Sequence, residues 1–516
     1  MSRVADRLRA LSASDAAWWT LVLAFTIAVL LPWWSTRILP LMDYPMFLSF
    51  VRVFQDHDNP ASPFHGSYTL GLPFSPLVAP ILLTAALAKL TSIETGGRLL
   101  WTFFALGLPA SAWFLTRTLG LSRFNVLLVF PLVFAKWTSS GFTGFVTGLP
   151  LVLLAYALAA RYLMHRSRGR GIAVGALMIV LVMWHALIVA QALLGLGILW
   201  LCWRAPNVKT RFVALWPMAL PAVLLAIWFF YNFVGHGAGA GAKMTPPFWP
   251  PPRELFDAQK MFWAVLMLWP DSDLYAKALL VALVVGILFG ARARIFAAPD
   301  APTGDWHVKN PMAVIALVAF VCYFALPMHA FGVAIISQRF VWFAAVFMAV
   351  AWDWPRHPIA RAVAIALPVL VAARFLWEVN AHFRAFNQET VAASRLIDEI
   401  PERSTLIAPL GNAETKAFLN KPIREVQQYA TIRKGGLPTT SFAGYGINYV
   451  RYVKRNPKPE LFPYNYLRHP QLPEFDYVLL RSPSRTELTS PRLHLERTDG
   501  DWALFTVCGS HARPRC

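Results

Sequence analysis

Leu41-Met42-Asp43-Tyr44-Pro45-Met46 sets a carboxylate a few residues beyond an apolar run that ends at Trp34. A carboxylate beside a membrane face can take the proton of a hydroxyl nucleophile while a second reactant is presented from the bilayer. General-base catalysis at an interface needs that proximity. The position also suits a plainer role, because an Asp ahead of Tyr44-Pro45 is a good N-cap for a helix with proline in its first turn. The residue pattern leaves both roles open.

Cations stand at comparable places. Arg339, in Ser337-Gln338-Arg339-Phe340, opens an apolar run. Its planar fork matches a phosphate in two-point fashion, and snorkelling to the interface is the competing role. His185 interrupts an apolar stretch in Trp184-His185-Ala186, where it either hydrogen-bonds backbone freed by the break or meets a phosphate. Lys136 and Arg98 are further phosphate candidates. Asp56, His57 and Asp58 form a small set able to bind a divalent cation, although Asp-His-Asp-Asn-Pro is also ordinary turn chemistry. No cysteine pair has zinc-ligand spacing; Cys202 and Cys322 fall in apolar runs, and Cys508 and Cys516 are close enough to pair in an oxidising compartment.

The elements that must position these groups are mostly membrane-spanning. The chain has 516 residues, of which 57% are hydrophobic and 14% charged, with mean hydropathy +0.49. Soluble domains carry nearly twice that charged fraction. The formal charge of +20 comes in short clusters between apolar runs, which reads as cytoplasmic loops and excludes a nucleic-acid surface. Apolar runs fall at 16–34, 75–91, 97–116, 122–136, 142–162, 171–184, 186–203, 211–233, 273–291, 311–329, 338–354 and 358–377. The first follows Arg3, Arg7 and Arg9, ends in Trp-Trp without a small-residue cleavage site, and so reads as a spanning helix rather than a signal peptide.

Orientation reduces the number of crossings. The clusters at the N-terminus, 161–170, 204–211, 292–294 and 356–361 all reach the cytoplasmic side only if one early run does not cross. The run 75–91, with Pro76 and Pro80, is the one to remove, as a juxtamembrane or re-entrant helix in the first external loop. About 11 crossings remain, with the N-terminus cytoplasmic and the C-terminal part outside. The expected location is a bacterial-type inner membrane, multi-pass.

From residue 385 the texture changes. Apolar runs shorten to strand length at Thr405–Pro409, Phe475–Leu480, Leu493–Glu496 and Trp502–Val507, with Asp499-Gly500 as a hairpin turn and a helix over Glu389–Ile400. The expected architecture is an all-α polytopic membrane domain over 1–384 and a small extracytoplasmic α/β domain over 385–516.

The order of motifs resembles a known family. After the first helix comes Asp43-Tyr44-Pro45, then Phe74-Ser75-Pro76-Leu77 opening a juxtamembrane helix, then Glu94-Thr95-Gly96-Gly97-Arg98-Leu99 opening the next span. This arrangement is similar to the C-type superfamily of polyprenyl-phosphate-dependent glycosyltransferases, such as protein O-mannosyltransferases and aminoarabinose transferases. The resemblance covers the whole architecture but is specific over residues 40–120. It implies a sugar donor on polyprenyl phosphate, an extracytoplasmic glycan, lipid or protein acceptor, and Asp43 as the base. The family has an Asp-Glu pair where this chain has Asp43-Tyr44, so a second carboxylate comes from elsewhere or is absent. A lipid-carrier or polysaccharide transporter and a non-catalytic scaffold of an envelope-assembly complex are the alternative readings. No related halves of the kind transporters show are visible.

Overall fold

The structure, a computed structural model, describes residues 15–232, 246–257, 260, 265–272, 274–275, 277–278, 306–330, 333–354, 358–411, 413–445, 448–453, 457–459, 461 and 463–512. Arg3, Arg7 and Arg9, the Gly-rich stretch 235–243, nearly all of the expected span 273–291, the cluster 292–294 and Cys516 lie outside the described residues.

Helices dominate the first three quarters of the chain. Helix α1 (Asp15–Trp34) ends where Ser35 breaks the apolar run. The next helix, α2 (Tyr44–Asp56), has proline in its first turn and buries most of its residues. A short strand, β1 (Tyr68–Leu70), precedes α3 (Val78–Ala88). At 11 residues α3 is about 16 Å long, about half the ~30 Å of hydrocarbon. Ser92 then accepts a hydrogen bond from Thr95 N and caps the long α4 (Ile93–Thr118).

The run expected to cross at 122–136 is not one helix. It forms three short turns, Asn125–Val129, Phe130–Val133 and Lys136–Ser139, all buried in protein. Irregular backbone at this depth is tolerated only with such cover. Asn125 supplies part of it, donating to Val350 O at 2.7 Å and Trp352 O at 2.8 Å and accepting from Trp354 Nε1 at 2.5 Å.

The remaining apolar helices are α5 (Leu149–Met164), α6 (Arg168–Trp184), α7 (Ala186–Cys202), α8 (Trp216–Phe230), α9 (Pro311–Ala325) and α10 (Ile336–Ala351). Among the described residues, four helical segments are long and apolar enough to cross a membrane alone: Asp15–Trp34, Ile93–Thr118, Thr143–Met164 and Arg361–Glu399.

Helix α11 (Pro358–Glu399) is 42 residues long and runs unbroken through the expected division at 384/385. Its far half belongs to the tail. There Trp502 Nε1 donates to Glu389 O at 2.9 Å, and Arg395 forks onto Asp499 at 2.7 and 3.0 Å. The tail sheet contains β2 (Leu406–Ile407), β4 (Tyr477–Arg481), β5 (Leu493–Asp499) and β6 (Trp502–Val507), in the order β2-β4-β6-β5. Only the β2–β4 pair is parallel. All four strands fall where the sequence placed them, and Gly500 turns the last hairpin at φ +57°. Strand β3 (Val450–Tyr452) leaves this sheet and pairs antiparallel with β1 of the first loop, Tyr68 opposite Tyr452.

The tail is therefore bolted to the first loop. Arg433, in helix α12 (Gln428–Lys434), forks onto Glu94 at 2.6 and 3.0 Å and reaches Asp398 at 3.0 Å. One continuous apolar core runs from Trp33 and Trp101 in the helices to Ile432 and Trp502 in the tail. Cys508 is disulfide-bonded, while Cys202 and Cys322 are free thiols.

Candidate active site

Tyr44 fixes the start of α2 by sheer volume. Its ring is fully buried, stands edge-on to Trp101 at 6.2 Å, and occupies the space where a side chain at Gly97 would have to go. Gly96 likewise leaves no room beside Thr84 O of α3, at 2.8 Å from where a Cβ would be. The Asp-Tyr-Pro and Gly-Gly-Arg motifs are thus two sides of one contact. Arg98 completes it by donating to Trp33 O at 3.0 Å and Arg37 O at 2.5 Å. That engagement turns its fork onto the turn after α1.

Asp43 is carried on this anchored turn. Its backbone N–H donates to Ser140 O at 3.0 Å, and Met42 N–H to Ser139 O at 3.0 Å. Gly141 makes the approach possible. It has φ +74°, and a Cβ there would lie 2.7 Å from Asp43 N and 2.6 Å from Tyr44 N. Gly141→Ala is expected to cost about 1–3 kcal/mol for the left-handed conformation alone, before the clash with fixed backbone; thermal unfolding of the purified protein measures it.

Asp43 occupies the N-cap position of α2, yet its side chain accepts no capping hydrogen bond. The carboxylate instead faces charges from two distant segments. Burial pushes it up to about 7 from the ordinary 3.8; Glu425 adds to the rise, and Arg424 and Arg339 oppose it. Glu425 was invisible to pattern reading. It comes from the tail, is 3% exposed, and accepts from Thr440 Oγ1 at 2.7 Å and Gln427 Nε2 at 3.1 Å. Two charges standing together in Ile423-Arg424-Glu425-Val426 were the one signal available.

The same tail segment grips the backbone beneath Asp43. Asn420 Nδ2 donates to Ser139 Oγ at 2.6 Å, with Lys136 O and Ser140 Oγ at 3.3 Å, and Leu419 N–H donates to Leu268 O at 2.9 Å. Lys136 itself is buried, its ammonium 5.3 Å from the centre of the Trp137 ring.

Arg339, in the first turn of α10, is 6% exposed, and its charge acts on Asp43 without a direct ion pair being formed. Its guanidinium lies over Phe142 at 4.5 Å and Phe145 at 4.9 Å. Nη2 makes a 3.2 Å hydrogen bond to Ala334 O, and Nε has no partner among the described residues. His185 stands against Phe145, ring centres 5.7 Å apart, and its Nδ1 accepts from Leu187 N at 3.1 Å to cap α7. The structure thus brings Asp43, Arg339 and His185 to one region, adds Glu425 and Arg424, and commits Arg98 elsewhere.

The Asp56-His57-Asp58 set is corrected. Asp56 is paired with Arg52 at 2.8 Å, and His57 Nδ1 lies 2.8 Å from Asp58 Oδ1 with Asp58 almost fully exposed. Among the described residues no three His, Cys, Asp or Glu side chains converge as a metal site. The turn reading holds.

Comparison with known proteins bears on the fold alone. No protein-family model matches the chain, and no curated protein matches its sequence. Solved structures do match. ArnT from Cupriavidus metallidurans bound to undecaprenyl phosphate superposes with a TM-score of 0.53 at 12% identity, over 97% of this chain and 100% of that one. ArnT in the apo state gives 0.51 at 11% identity, over 96% and 98%. The chain thus shares the fold of ArnT along nearly its whole length, and four of its described helical segments are long and apolar enough to cross a membrane.

Proposed function

We propose that the chain is a membrane glycosyltransferase that moves a sugar from a polyprenyl-phosphate-linked donor to a hydroxyl of an extracytoplasmic glycan, lipid or protein. The observation that carries this is the arrangement of two buried charges about one turn: Gly141 packs against the backbone of Asp43, and the next residue, Phe142, lies 4.5 Å beneath the Arg339 guanidinium. A solved structure of the same fold holds undecaprenyl phosphate, which supports the donor class.

In the reaction, the acceptor O–H gives its proton to the Asp43 carboxylate as the oxygen attacks the anomeric carbon. The bond from that carbon to the phosphate oxygen breaks, and the lipid phosphate leaves with the electron pair. Arg339 neutralises the leaving charge, with His185 and Lys136 as further donors on its route. A phosphate is a good leaving group, so positioning and charge stabilisation supply most of the acceleration. The topology that suits this chemistry has about 11 crossings, one of them made by the consecutive turns of the broken run 122–136, with the N-terminus in the cytoplasm and residues 385–516 outside with Asp43. The membrane is of the bacterial inner type.

The test uses full-length protein in proteoliposomes, offered undecaprenyl-phosphate-linked sugars and acceptor-bearing membrane extract. Release of undecaprenyl phosphate with labelled acceptor is expected. Because a base must be ionised to work, and burial holds Asp43 near 7, the rate should rise with pH through about 7. A protein that neither binds undecaprenyl phosphate nor consumes any such donor sinks the proposal.

A further inference from the structure

We propose that a polar cleft in the tail binds the acceptor through a saccharide portion, apart from the residues that carry the chemistry. Saccharide binding stands on the cleft itself, while the acceptor role rests on the proposed function.

The cleft has a volume of about 560 Å³ and lies between the loop that follows β2 and the end of β4. These two strands are parallel, and α/β folds take their ligands in crevices at the carboxyl ends of such strands. One wall is preformed. Arg481, the last residue of β4, donates to Glu414 O at 2.7 Å and to Glu389 Oε2 at 2.8 Å, which ties the loop to the sheet and to α11. Thr415 Oγ1 accepts from Phe418 N–H at 3.0 Å and closes the loop on itself. Beside it, Ser482 stands at φ +49°, held by its N–H donating to Asp501 O at 2.6 Å. A left-handed conformation costs stability in a residue with a Cβ, and such residues collect at ligand sites.

The lining selects the ligand. Glu487 is already engaged, accepting from Ser484 N–H and from the Tyr466 hydroxyl at 2.7 Å each, and Glu414 lies 3.5 Å from Lys421 Nζ. The Lys416 ammonium, the Ser482 hydroxyl and the Asp501 carboxylate also line the cleft, are exposed, and have no partner among the described residues. A cation, a neutral hydroxyl and an anion in one space offer donors and acceptors in balance. That balance suits a neutral polyhydroxylated molecule, whereas a phosphate meets the two acids and an apolar chain leaves all three groups unused. At the edge, Pro463 Cβ is 4.0 Å from where a Gly411 Cβ would be, and the next residue, Tyr464, is 82% exposed. An exposed tyrosine face beside polar groups suits the C–H face of a sugar ring. The cleft is also close to the chemistry. From Lys416 the chain reaches Asn420 in four residues, at most about 14 Å, and Asn420 bonds Ser139 of the turn that holds the Asp43 backbone. A short oligosaccharide spans that distance.

Isothermal titration of the full-length protein in a phosphocholine detergent, which has no sugar headgroup, measures the binding. The probe is the soluble oligosaccharide fraction released from the acceptor-bearing membrane extract, with inorganic phosphate as the control. The fraction should bind and phosphate should not. Lys416→Ala and Asp501→Ala should each weaken binding by about tenfold, the worth of one hydrogen bond to a charged group. Gly411→Trp, which fills the cleft from its edge, should abolish it. Lys416, Asp501 and Gly411 are exposed, so all three variants should fold, as thermal unfolding checks. In the transfer assay Lys416→Ala and Asp501→Ala should raise KM for the acceptor by about tenfold and leave kcat unchanged. A fraction that does not bind, or that binds all three folded variants as it binds the native chain, overturns the proposal, and so does phosphate binding in its place. Binding lost in the variants, with no sugar transfer by the native protein, sinks the proposed function and leaves the saccharide cleft standing. Transfer with an acceptor KM that ignores all three substitutions does the reverse.

Discussion

Asp43→Asn is expected to lower sugar transfer by about 10³-fold, within the range a positioned general base supplies, while leaving undecaprenyl phosphate binding near the native level. The argument starts from what the substitution leaves alone. Asp43 is held by its backbone N–H to Ser140 O, and its side chain caps no helix, so an isosteric amide keeps every contact that positions the turn. What disappears is the ability to accept a proton. Stability supplies an independent check. The folded pKa of about 7 lies above the ordinary 3.8, so ionising Asp43 opposes folding. Its favourable contribution is complete below about 4 and is lost as pH rises through about 7. Asp43→Asn should therefore unfold at a higher temperature than the native chain at pH 8, with the gain fading toward pH 4. Transfer at the native rate by a well-folded Asp43→Asn protein would remove Asp43 from the mechanism.

The parts of this site that were legible in the sequence are those made by local rules. Asp43 stood out because it follows a spanning run and precedes Tyr44-Pro45, and the basic clusters singled out 75–91, where the helix formed is only 11 residues long. The tail strands were marked by short apolar runs bounded by turn residues, and all formed. Glu425 obeyed no such rule. Its meaning depends on Asn420 meeting the Lys136–Ser139 turn and on Arg433 meeting Glu94, pairings between segments hundreds of residues apart. Sequence spacing carries no trace of them. The residue after Asp43 is no carboxylate, and the acid whose charge acts on Asp43 comes from the tail. The broken turns at 125–139 were missed for a different reason: an apolar composition long enough to cross reads as a helix, whereas Pro131 and the buried Asn125 bind it into irregular packing instead. Asp56, His57 and Asp58 show the converse, since adjacency in sequence put three potential ligands together, whereas folding pairs Asp56 with Arg52 and His57 with an exposed Asp58.

Arg339→Gln is the second substitution with a large expected effect, and its two readouts should move in opposite directions. A buried guanidinium is costly unless its donors are used, and here the fork makes one long hydrogen bond, to Ala334 O, and leaves Nε unpaired among the described residues. Phe142 and Phe145 hold the group flat without satisfying its N–H donors. Such an arrangement stabilises a ligand rather than the empty protein, which is where proteins place strained polar groups they keep for function. Replacing Arg339 by Gln should therefore leave the unfolding temperature unchanged or raise it, while undecaprenyl phosphate binding and transfer fall by about 10²–10³-fold, the loss typical of one charge-stabilising donor. Arg339→Lys keeps the charge but not the planar fork, so partial recovery of binding with little recovery of rate is expected. If Arg339 were only a structural snorkelling residue, its removal would lower stability and leave phosphate binding intact. Isothermal titration of undecaprenyl phosphate alongside thermal unfolding of the three proteins separates the two cases by the sign of each change.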